Sequence, residues 1–79
     1  MSKPTRTAAE LVAMARAELR IHVPDCPDGI VISVVPAGDS WEFRTTADAA
    51  TVAKPGYPEG VAMIVQIGDH LGKHYDLKG

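Results

Sequence analysis

From residue 8 to residue 19 the apolar positions recur with the spacing of a helix. At about 100° per residue, Ala8, Leu11, Val12, Ala15 and Leu19 share one face, and Glu10, Ala13, Arg16, Ala17 and Arg20 fall opposite. Alanine richness adds intrinsic helix propensity. Thr7-Ala8-Ala9-Glu10 has the form of a capping box, in which the threonine hydroxyl accepts the Glu10 N–H and the carboxylate reaches back to the Thr7 N–H. Pro24 disfavours helical backbone at Val23, so the helix is predicted to end near Ile21.

The pattern then changes period. Val23–Gly29 holds two prolines and an Asp-Gly turn signal and reads as a loop. Ile30–Val35 is a β-branched run interrupted only by Ser33, predicting a strand with both faces apolar and both covered. Pro36–Ser40 is a turn cluster of hairpin length. Trp41–Thr46 alternates, with Trp41, Phe43 and Thr45 on one side and Glu42, Arg44 and Thr46 on the other. An antiparallel hairpin follows.

Residues 47–57 admit two readings. Asp48 can cap a short helical turn through Val52, or residues 51–54 can form a short third strand. After the Lys54–Pro58 loop, residues 61–67 have strand-like composition, but their period favours a helix. As a helix, Val61, Ile64, Val65, Ile67, Gly68, Leu71, Gly72 and Tyr75 lie on one broad face, while Gln66, Asp69, His70 and Lys73 gather on the other. Pro58 and Glu59 suit the first turn through fixed φ and the helix dipole. Gly68 and Gly72 each weaken the helix by about 1 kcal/mol against alanine. The predicted fold is therefore α+β, of order α-β-β-α, with both helices on one side of the hairpin. The alternative is α-β-β-β-α. Residues 1–79 are expected to make one domain, with 1–6 a flexible N-terminal segment.

Composition narrows the function classes. The formal charge of −2 gives no long-range attraction to nucleic acid or anionic lipid. Charge is uneven, however. Lys3, Arg6, Arg16 and Arg20 outweigh Glu10 and Glu18 in residues 1–20, whereas Asp25, Asp28, Asp39, Glu42 and Asp48 outweigh Arg44 in residues 25–48. A single cysteine excludes an internal disulfide. No apolar run reaches the roughly 18–20 residues of a membrane span. The first residues lack the apolar stretch of a signal peptide, so a cytoplasmic location is expected.

Candidate chemistry is sparse. His70 and His74 stand at i and i+4 on the last helix, a spacing that can put both imidazoles on one metal ion; Asp76 or Cys26 would have to complete the site. His22 near Cys26 is a possible base beside a thiol, but Asp25 and Asp28 work against a thiolate. Gly68 and Gly72 have the G-x-x-x-G spacing of close helix packing, against the hairpin or the first helix, or else against a partner helix such as that of a second copy. Trp41, Phe43 and Tyr57 are candidate base-stacking residues without the basic surround that nucleic-acid binding needs. Phosphate-loop and dinucleotide glycine motifs are absent from the sequence, no enzyme activity is indicated, and no cofactor is expected.

A capped basic helix, a Cys26-Pro27 loop, a hairpin with Trp41 and a helix running into His74-Tyr75-Asp76-Leu77 resembles small uncharacterised bacterial proteins of helix–hairpin–helix order. The resemblance implies the fold and no activity. Two strands leave open edges, and a two-sided strand needs cover. The expectation is a non-enzymatic protein-interaction module that self-associates as a homodimer. A small ligand- or metal-binding protein using His70 and His74 is the alternative.

Overall fold

A computed structural model describes residues 3–78. Helix α1 spans Ala8–His22, and the capping box at its start is formed: Glu10 N donates to Thr7 Oγ1 at 3.1 Å and Thr7 N donates to Glu10 Oε1 at 3.0 Å. Leu11, Ala15 and Leu19 are its buried stripe. Ala8, assigned to that stripe by the period, is exposed, because the stripe meets its partners only from Leu11 onward.

Strands β2 (Val31–Ala37) and β3 (Ser40–Thr46) form the antiparallel hairpin, in register from Val31 opposite Thr46 to Ala37 opposite Ser40. The connection is tighter than the turn cluster suggests, with only Gly38 and Asp39 between the strands. Gly38 has φ +58° and no other residue type in the described chain has positive φ, which fits a type II′ turn with glycine first. Pro36 thus lies inside β2 rather than in the turn.

The segment in doubt is helical. Asp48 accepts from Thr51 N at 2.8 Å and caps α2 (Ala49–Val52), so residues 51–54 add no third strand. A local carboxylate cap satisfies backbone donors that a strand there would have had to pair with another strand. Helix α3 spans Tyr57–His74, with proline in its first turn and Gly60, Ile64, Ile67 and Leu71 buried.

Both long helices lie on one face of the hairpin, α1 against β2 and α3 against β3, and against each other. Ile30, Ile32 and Trp41 from the hairpin, Leu11, Ala15 and Leu19 from α1, and Ile64, Ile67 and Leu71 from α3 make one core. Trp41 and Phe43 meet edge to face, with ring centroids 5.0 Å apart. Gly68 serves the packing on the hairpin, where a Cβ would sit 3.0 Å from the Phe43 ring, whereas a Cβ at Gly72 would make only an ordinary contact, 3.9 Å from Ser40 Oγ.

The chain ends differ from the flexible segment expected over residues 1–6. Residues 1–2 lie outside the described residues, but Thr5–Arg6 form β1, which pairs in parallel with β4 (Asp76–Leu77). Asp76 N donates to Pro4 O at 2.9 Å and Lys78 N to Arg6 O at 2.8 Å. Lys3 Nζ donates to Gly72 O at 2.9 Å and lies 3.7 Å from the Asp76 carboxylate, and the Arg6 guanidinium stacks 4.9 Å from the Tyr75 ring centre. Backbone bonds to the C-terminal strand hold this segment in place. Among the described residues, no helix is long and apolar enough to cross a membrane.

Candidate functional site

Because α1 and α3 lie side by side, their outward flanks leave a groove on the side away from the sheet. It holds about 1060 Å³, with Ile67 and Leu71 at its floor and Met14 and Met63 on its two walls. His22 and Glu18 line it from α1, and His70 and His74 line it from α3. The groove therefore gathers all three histidines of the chain. Neither methionine was a candidate from the sequence. The signal was their position one step beside the buried stripe, where flexible thioethers cover a seam between helices.

The i, i+4 pair is close: the His70 and His74 rings have centroids 4.7 Å apart, tilted by 55°. His22 Nε2 lies 3.3 Å from Glu18 Oε2 on its own helix. Among the described residues no three His, Cys, Asp or Glu side chains come close enough together to hold a metal ion. Asp76 faces Lys3, and Cys26 lies in a separate depression with Arg16, Leu19 and Asp28. The structure thus brings His70 and His74 together without bringing either proposed third ligand to them.

Cys26 is half-buried, donates weakly to Pro27 O at 3.7 Å, and packs so tightly on α3 that a Cβ at Gly60 would sit 2.5 Å from its sulfur. Burial, and then the Asp28 carboxylate, push its thiol above the ordinary pKa, with Arg16 opposing them only in part. A thiol held protonated is a poor nucleophile, and its candidate base His22 is engaged with Glu18 in the groove. Cys26 is a packing residue.

Trp41 is buried and Phe43 half-buried in the core face, so neither offers a ring to a base.

The other unusual surface is the hairpin. The expectation that both faces of the first strand are covered is corrected: Ile30 and Ile32 are buried, but Val31 is 57% exposed and Ser33 is exposed, because both helices lie on the same side. A two-residue turn makes Ala37 and Ser40 a hydrogen-bonded pair, so alternation assigns the inward backbone groups to Val31, Ser33, Val35 and Ala37. The groups of Ile32, Val34 and Pro36 point away from β3. Among the described residues, the backbone of residues 31–37 makes no backbone hydrogen bond outside the hairpin. On the β3 side Trp41 Nε1 donates to Tyr75 O at 3.0 Å beside β4, and among the described residues the backbone of residues 40–46 likewise makes no backbone hydrogen bond outside the hairpin.

Comparison with protein-family models, with curated proteins and with solved structures gives no match. The site therefore has to be read from its own chemistry.

Proposed function

We propose that the chain is a non-enzymatic interaction module that works by self-association through its hairpin. One observation carries this reading: the outward groups of Ile32 and Val34, in the middle of the β2 edge, are unpaired, with only Pro36 and the Arg16 bond to Ile30 O restricting its ends. Edge strands of monomeric proteins are usually blunted by charge, proline, bulges or cover. Residues 30–37 contain no charged side chain, and the register through β2 is unbroken by a bulge. Val31 on the outer face adds exposed apolar surface beside that edge. Sedimentation equilibrium of untagged protein at micromolar concentrations tests the reading. A species of twice the 8.4 kDa chain mass is expected, and 8.4 kDa alone at every concentration would overturn it.

The close approach of His70 and His74 favours a second reading, a metal chelate on α3 with water completing the coordination. Zinc, copper or nickel ions would then raise the melting temperature, as any ligand of the folded state does, and His74→Ala would abolish the rise. Equal shifts in wild type and His74→Ala would remove this reading.

A further inference from the structure

We infer that the self-association proposed above is an antiparallel pairing of β2 with β2 of a second copy, across a two-fold axis that passes between the two Ser33 residues. The inference rests on that proposal and specifies its surface and register. Ile32 and Val34 carry the outward N–H and C=O groups, so any strand added at this edge must bond to those two residues. A two-fold axis makes the added strand another β2, read backwards. The register that matches outward groups to outward groups sets Ile32 opposite the partner's Val34 and Val34 opposite the partner's Ile32. Ser33 then faces the partner's Ser33 as a non-hydrogen-bonded pair.

The ends of the strand fit the same register. Ile30 falls opposite the partner's Pro36. Its N–H can donate to that proline's carbonyl, but the proline has no N–H to return to the Ile30 carbonyl. That carbonyl is already satisfied, because Arg16 Nη2 donates to it at 3.2 Å. The one edge position that lacks a donor thus meets the one edge carbonyl that needs none. On the outer face, the exposed Val31 comes beside the partner's Val35, which is half-buried, so the outer-face valines of both copies join into one apolar band around the serine pair. A register shifted by two residues in either direction breaks both matches.

Single cysteines test the register. In a Cys26→Ala background, Ser33→Cys places two thiols opposite each other with Cα atoms about 4.5 Å apart, within disulfide reach. Val31→Cys places its thiol opposite the partner's Val35, with the two cysteines roughly 13 Å apart along the strand and out of reach. In a glutathione redox buffer, a covalent dimer is expected for Ser33→Cys and none for Val31→Cys. Ser33→Lys sets two ammonium groups face to face at the axis and is expected to weaken association several-fold, with the circular dichroism spectrum unchanged. A dimer by sedimentation that gives no Ser33→Cys link, that links through Val31→Cys, or that tolerates Ser33→Lys overturns this register and leaves self-association standing. A protein that stays at 8.4 kDa throughout overturns both.

Discussion

At its start β3 is tied to the C-terminal segment: Trp41 is buried, its indole N–H reaches the Tyr75 carbonyl, and β4 stands beside it. Along β2 the backbone groups of Ile32 and Val34 meet no other part of the chain, and the strand carries no charge. The two strands are alike in length and, among the described residues, neither makes a backbone hydrogen bond outside the hairpin, yet β3 carries Glu42 and Arg44 whereas β2 carries no charge. The difference teaches that the two open edges are not equivalent: charged side chains stand along β3, a device that discourages pairing with a further strand, and none stands along β2.

Removing the core ring that ties β3 to the C-terminal segment has the largest expected effect. Trp41→Ala removes a buried ring and the bond to Tyr75, a change of the kind that costs about 3–5 kcal/mol. That is comparable to the whole stability of a small domain, so thermal denaturation should show a chain largely unfolded at room temperature. Ser33→Lys on β2 loses the exposed Ser33 hydroxyl bond to Arg44 O and faces Arg44 across the hairpin, so it should cost the monomer no more than about 1 kcal/mol. Equal losses from the two substitutions would mean that Trp41 holds the hairpin no more firmly than an exposed position of β2 does.

Opening the terminal ladder should cost less. A chain beginning at Thr7 loses the bonds from Asp76 N to Pro4 O and from Lys78 N to Arg6 O, each worth about 1 kcal/mol net. The exposed Lys3–Asp76 pair adds at most a fraction of that. A lowered melting temperature with helix content preserved is expected. Hydrogen exchange at Asp76 and Lys78 should rise to the rate of free peptide.

The smallest effects belong to the caps. Thr7→Ala should cost about 1 kcal/mol in urea denaturation. The Thr7 N–H and hydroxyl hold the Glu10 carboxyl below its ordinary pKa, and the Thr51 N–H and hydroxyl do the same for Asp48. With folded pKa values depressed, both groups stabilise the protein above the ordinary carboxylate range and lose that contribution as the pH falls through their folded values. Stability should therefore decline on the acid side, and less steeply in the Glu10→Gln, Asp48→Asn double variant. An unchanged acid limb in that variant would mean that the caps do not carry it.

The elements with local signals were legible in the sequence. The Thr7–Glu10 box, the alternation of Trp41–Thr46 and the period of the last helix each state their element within a few residues, whereas the Asp48 cap offered only one of two readings of its segment. The β1–β4 ladder was not, because two short pieces at opposite ends of the chain pair through backbone groups that every residue carries. Period also gives the direction of a side chain without saying whether anything stands there. Val65, assigned to the broad apolar face of α3, is 58% exposed because the hairpin covers only one side of that face, and Val31 is exposed for the same reason. The His70–His74 spacing was visible along the chain. That His22 joins them in one groove depends on how α1 packs beside α3, which no local pattern contains.

Residue-resolved hydrogen exchange as a function of protein concentration tests the open edge most directly. The amides of Val31, Ser33 and Val35 point to β3 and should be protected at every concentration. Those of Ile32 and Val34 point outward. They should exchange fast in dilute protein and become protected together as concentration rises and the second copy docks. Fast exchange at Ile32 and Val34 across the whole range, with the rest of β2 protected, would contradict the account.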